Sequence, residues 1–215
     1  MAEAQARVAI QVRETEWLRA VHGVGRFVFR GDAQARLAVG TALGAPLPAV
    51  TGRAFAQGPC AALSLGPDEH LFIVAESEVT TFLAELDSAL ADLPHSLVDI
   101  SHRQVSLELR GAYAEWLLAA VCPLPLDVVA FPVDACTRTV FAKVEIVLWR
   151  TGLDAFRVEV ARSYCRYVVD LLGEVAREVP ASPHDARGVS SDARRIAAPG
   201  VPTVEVTHES REITS

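Results

Sequence analysis

Lysine is almost missing from this chain: Lys143 stands alone against nineteen arginines. Chemistry built on a Schiff-base lysine or a phosphate-loop lysine therefore has a single candidate. Cysteine is scarce as well. Cys60, Cys122, Cys136 and Cys165 form no C-x-x-C and share no paired histidine spacing, which leaves zinc binding without support. Each sits among apolar neighbours, so buried reduced thiols and a reducing, cytoplasmic setting are expected. No apolar run approaches the roughly 20 residues of a membrane-spanning helix. The first fourteen residues carry Glu3 and no apolar core, so they do not read as a secretory signal. An excess of positive charge is also lacking. The formal net charge is −7, against what a nucleic-acid or anionic-membrane surface needs.

What is present is a globular composition. The 215 residues are 51% apolar and 22% charged, enough to bury a sizeable core without a disulfide or metal staple. Residues 180–215 differ from the rest. They hold five serines and no Leu, Phe, Trp, Tyr or Met, and so read as a mostly disordered tail. Only Val204-Glu205-Val206 alternates there like a short edge strand. The folded body is expected over about residues 8–179.

Within that body the chain repeats itself. Residues 27–48 align with 107–126, so that Arg30-Gly31 and Arg110-Gly111 lie eighty positions apart. Each copy reads as an alternating strand, a glycine turn and a short helix. Asp32 is placed to cap the first helix, whereas Ala112 leaves the second to Gly111 or without a cap. Two strands and a longer helix follow in each copy. In the first, Gly66-Pro67-Asp68-Glu69 is the turn, and Val79, Phe82, Leu83, Leu86, Leu90 and Leu93 form one helical face. In the second, Thr151-Gly152-Leu153-Asp154 is the turn. Its helical face runs Tyr164, Tyr167, Val168, Leu171, Leu172, Val175 and Val179, with Leu171 at its centre. Residues 95–101 read as a strand closing the first half. Residues 139–149 read as one strand, apolar on both faces and interrupted by Lys143 and Glu145. The prediction is an α+β protein of two β-α-β-β-α-β, ferredoxin-like halves, about 8–101 and 102–179. The last strand of the second half has no clear sequence candidate. Helices cover one face of each sheet, so the other must meet the second half or another subunit.

Chemistry is harder to find. Asp99, Ser101 and His102 supply the residue types of a hydrolytic triad, but no G-x-S-x-G elbow accompanies them, and a turn between strands is the better reading. His22-Gly23-Val24-Gly25 lacks a third glycine and precedes a strand, the wrong order for a dinucleotide fingerprint. Asp68 and Glu69 are adjacent in a turn and make a poor acid–base pair. Arg138, Arg150, Arg157, Arg162 and Arg166 offer a carboxylate or phosphate site, or else ion pairs with Glu145 and Glu159 across neighbouring strands. On the residues alone, no catalytic, cofactor-binding or metal-binding residue is assigned.

Five segments then carry a resemblance. In order they are residues 65–71 (LGPDEHL), 98–111 (VDISHRQVSLELRG), 122–127 (CPLPLD), 135–150 (ACTRTVFAKVEIVLWR) and 156–172 (FRVEVARSYCRYVVDLL). Their succession resembles the gamma subunit of heterotetrameric sarcosine oxidase, and 1–179 is read as one gamma-like domain. The resemblance implies a fold like the folate-binding domain of aminomethyltransferases. It also implies a complex that demethylates sarcosine to glycine, releasing hydrogen peroxide and passing a one-carbon unit to tetrahydrofolate. FAD, FMN, NAD and tetrahydrofolate are then expected in the larger partner subunits, with none in this chain, the partners being larger alpha and beta and a small delta subunit. His70 departs from the family, which commonly has Trp there. Two alternatives stay open: a stand-alone folate-dependent aminomethyltransferase-like protein, and a small-ligand binding module using the second-half arginines.

Overall fold

Alternation writes the two faces of each sheet. In β2 (Val24–Gly31), Phe27 and Phe29 are buried on one side while Arg26 and Val28 point to the other. The structure is a computed structural model and describes residues 15–179. The tail and the Val204–Val206 strand expected from the sequence lie outside the described residues.

After β2 the chain forms α1 (Ala33–Ala42), β3 (Ala54–Gln57), β4 (Cys60–Ser64), β5 (Glu69–Ala75), α2 (Val79–Leu90) and β6 (His95–Asp99). These strands make an antiparallel sheet in the order β3-β4-β5-β2-β6. Then come β7 (Gln104–Arg110), α3 (Ala114–Ala119), β8 (Cys136–Phe141), β9 (Val144–Gly152), β10 (Ala155–Ala161) and α4 (Cys165–Val175). The second sheet has the order β1-β7-β10-β9-β8, where β1 is Leu18–Val21. The missing closing strand of the second sheet thus comes from the beginning of the stretch read as the first half, 8–101. β1 lies antiparallel to β7 from Leu18 opposite Leu109 to Val21 opposite Ser106, the place β6 takes beside β2.

Two further readings are corrected. Residues 139–149 are not one strand but a hairpin turning at Ala142, whose φ is +51°, and Lys143. The turn reverses the alternation, so Phe141, Val144, Ile146 and Leu148 share one core while Val147 and Trp149 face the other sheet. In α4 the centre of the apolar stripe is Val168 and Leu172, both fully buried. Leu171 packs only at its margin, and Tyr164 and Tyr167 are exposed.

The repeated glycines serve different ends. A Cβ at Gly31 would lie 2.8 Å from that of Ala35, whereas Gly111 sits at φ +103° with open space around it. Asp32 caps α1, its Oδ1 accepting from the Ala35 N–H at 2.9 Å, and α3 has no side-chain cap.

The layers are helix, sheet, sheet, helix. Phe27, Phe29, Phe72, Phe82, Leu86 and Leu90 fill the space between the first sheet and α1–α2. Leu107, Leu109, Phe156, Val158, Val168 and Leu172 do so for the second sheet and its helices. The uncovered face of each sheet meets the other through Leu63, Leu71, Ile73, Val147 and Trp149.

Candidate functional site

Polar side chains sit where the two sheets meet. Arg26 on β2 and Glu159 on β10 have side chains only 5% and 1% exposed, and Arg26 Nε donates to Glu159 Oε2 at 2.6 Å. Arg26 Nη2 also donates to Ser106 Oγ at 2.7 Å, and the Ser106 hydroxyl donates to Glu159 Oε1. From the same strand as Glu159, Arg157 Nε donates to its Oε1 at 2.8 Å and Nη2 donates to Ser106 Oγ at 2.8 Å. Burial by itself raises the Glu159 pKa, but Arg157, Arg26 and the Ser106 hydroxyl outweigh it and hold the carboxyl below the ordinary range. The cluster joins strands of both sheets and is satisfied from within.

A second group lies at the rim. Glu69 accepts from Arg138 Nη2 at 2.6 Å and Arg30 Nη2 at 2.5 Å. Burial favours its neutral form, yet the two guanidinium groups keep its pKa below the usual value. Asp68, exposed, lies 3.6 Å from Arg30. Arg30 thus lies beside both carboxyls of the turn. In the second sheet Glu108, on β7, is paired with Arg19 of β1 and Arg110.

The remaining candidates separate. Ser101 Oγ accepts the Arg26 N–H at 2.8 Å, and Asp99 Oδ1 accepts the Ser101 N–H at 2.8 Å. Both bonds tie the β6–β7 turn to the backbone, and exposed His102 takes no part in either. Arg138 binds Glu69 and approaches Glu145 at 3.7 Å, and Arg157 binds Glu159. Arg162 donates to the His102 carbonyl, while Arg166 pairs with Asp170 on α4. Arg150, 2% exposed, donates to the carbonyls of Leu126, Phe131, Gly152 and Leu153, reaches Glu115, and lies over the Phe156 ring. The five arginines do not converge on one ligand site. Gly25 lies in β2, where a Cβ would come within 2.7 Å of Val79 Cγ2, so it makes room for α2 rather than for a phosphate.

Burial pushes the Cys122 and Cys136 thiols up to about 12 and Cys60 to about 11. All four cysteines are free. No group of three potential metal ligands occurs among the described residues. Likewise, among them, no helix is long and apolar enough to cross a membrane.

A cleft of about 460 Å³ on the helical side of the first sheet leaves no mark in the sequence. The end of α1, the start of α2 and the β3–β4 hairpin form its walls. Leu43, Leu47, Ala62 and Phe82 line it, with Glu78 and Glu85 among its polar residues.

The comparisons agree with this architecture. The chain is 33% identical over 188 residues to sarcosine oxidase subunit gamma of Corynebacterium sp. (strain P-1), covering 85% of this chain and 88% of the relative. The corresponding subunit of Arthrobacter sp is 33% identical over 185 residues, covering 82% and 86%. Among solved structures, the heterotetrameric sarcosine oxidase from Corynebacterium sp. U-96 in complex with pyrrole 2-carboxylate matches with a TM-score of 0.71 at 30% identity. That match covers 77% of this chain and 85% of that one. The glycine cleavage system aminomethyltransferase T from Bartonella henselae shares the fold, with a TM-score of 0.55 at 16% identity over 72% of this chain and 44% of that one. The family model for the sarcosine oxidase gamma subunit matches residues 30–178, from the first Arg-Gly turn to the end of the last helical turn. With the family model spanning most of the chain and relatives one-third identical over more than four-fifths of it, the chain belongs to the sarcosine oxidase gamma subunit family.

Proposed function

We propose that this chain is the gamma-type subunit of a heterotetrameric sarcosine oxidase and acts in it as a structural, interface-forming component. The complex oxidatively demethylates sarcosine to glycine, with hydrogen peroxide and one-carbon transfer to tetrahydrofolate. The family match over residues 30–178 carries this reading. The geometry supports it: Arg26, Glu69, Glu108, Arg150 and Glu159 are committed to ion pairs within the fold. FAD, FMN, NAD and folate then reside in the larger alpha and beta partners, delta being the small fourth subunit, and the whole works in the cytoplasm. No residue of this chain is assigned a catalytic, cofactor or metal role.

The two sheets are read as copies of one ferredoxin-like unit, residues 1–179 forming a single gamma-like domain. In support, β6-β2-β5-β4 and β1-β7-β10-β9 occupy matching positions, each with one added edge strand. The test is co-expression with the three other subunits. The expected result is a four-subunit assembly whose flavin and sarcosine oxidation stay with the partners, the chain alone being colourless and inactive. A flavin-bearing isolated chain, or one that never joins the assembly, would overturn the reading.

A further inference from the structure

The two units act as controls for each other. Aligned on their Arg-Gly turns, Phe27 corresponds to Leu107 and their neighbours Phe72 and Val158 to each other. Two residues further along, Cys60 opposite Val74 then matches Ile146 opposite Val160. The first hairpin ends at that level, with Gln57 opposite Cys60. The second continues through Val140–Glu145 and Phe141–Val144 before it turns. Phe141 is fully buried there, and the Ala142 N–H donates to the Val121 carbonyl just after α3. The longer hairpin thus closes against the end of the short helix. The shorter one leaves the 460 Å³ cleft in the corresponding place.

The facing helices differ in the same sense. Each begins after one 3-10 turn, Glu76–Glu78 before α2 and Arg162–Tyr164 before α4. By that alignment Glu78, Thr81 and Glu85 stand where the second unit has Tyr164, Tyr167 and Leu171. The cleft lining contains no Lys, Arg or His, and neither Glu78 nor Glu85 has an ion-pair partner among the described residues. An apolar floor beside two unneutralised carboxylates selects an occupant with complementary charge. The volume suits one or two side chains of a peptide.

We propose that this cleft receives a segment of a partner subunit, an apolar side chain seated against Leu43, Leu47 and Phe82 beside an Arg or Lys held by Glu78 and Glu85. The proposal rests on the reading of the chain as a subunit of a complex. The charge pairing sets orientation and encounter rate, and the apolar anchor sets residence time.

The test uses the full chain assembled with its partner subunits. A photo-crosslinker on Thr81→Cys should attach to a partner peptide carrying an apolar residue next to Arg or Lys. The double change E78Q/E85Q, at one half-buried and one exposed residue, should weaken assembly roughly 10-fold at low salt and much less at high salt. Gln57→Phe, which fills the cleft, should weaken it at either salt while leaving the melting temperature of the free chain unchanged or higher. A crosslink only to this chain or to a second copy of it, or no crosslink, overturns the cleft assignment. So does wild-type, salt-independent affinity of E78Q/E85Q. In those cases the subunit reading stands if the wild-type chain still assembles. Failure of the wild-type chain to assemble overturns both.

Discussion

Replacing Arg26 by Met tests whether the inter-sheet ion cluster holds the two halves together. Arg26 is 4% exposed and Glu159 1%, so the substitution strips a buried carboxylate of one of its two cations. Removing one partner of a buried pair costs about 3–5 kcal/mol. Arg157 stays 2.8 Å from Glu159 and Ser106 still bonds it, which places the loss near the lower end, about 3 kcal/mol. For a chain of this size that is a fall of about 6–12 °C in Tm. The effect also has a sign in pH. In the native protein the Glu159 pKa is depressed, so its contribution is present above the unfolded carboxylate pKa and is lost as pH falls through the folded value. Without Arg26, burial opposes ionisation with less to offset it, and the folded pKa rises. The stability gap between wild type and variant should therefore be larger at about pH 7 than at about pH 3.5, below the ordinary carboxylate range. Urea midpoints at both pH values measure it. A variant with the wild-type midpoint, or a gap that does not change with pH, would refute the account of a charge pair locking the sheets.

Leu172→Ala removes a fully buried side chain from the centre of the α4 stripe and should cost about 2–5 kcal/mol in the isolated chain. Binding to partner subunits adds stability by mass action to wild type and variant alike, so the variant should melt at a higher temperature in the complex than alone. His70 is fully buried against the Pro48 carbonyl, and desolvation lowers its pKa. The unfolded chain binds that proton more readily, so stability should decline as pH drops below about 6.5. His70→Phe, matching Phe156 in the second unit, should flatten this window in pH-dependent urea titrations.

Much of the first unit was legible because its signals are local. Phe82, Leu86 and Leu90 recur at helical spacing and are the buried face of α2, and Asp32 sits at the start of α1 as a cap. Both Arg-Gly pairs noted in the sequence end the strands they were expected to end, Gly31 closing β2 and Gly111 following β7. The hairpin at Ala142 did not show. A non-glycine residue at positive φ leaves no mark in a β-branched run, and the tight turn is held by pairing and by the Val121 carbonyl. Nor was β1 legible as the closing strand of the second sheet. Which edge a four-residue strand joins depends on which sheet lacks a neighbour, and that is known only once both sheets exist. The arginines divide along the same line. Composition made them numerous, and of the ion pairs expected with Glu145 and Glu159, Arg138 reaches Glu145 across the β8–β9 hairpin while Arg157 meets Glu159 within its own strand. That Arg26 reaches the same carboxylate from 133 positions away is decided by the face-to-face packing of the sheets, because a buried carboxylate ionises only where packing supplies its cations.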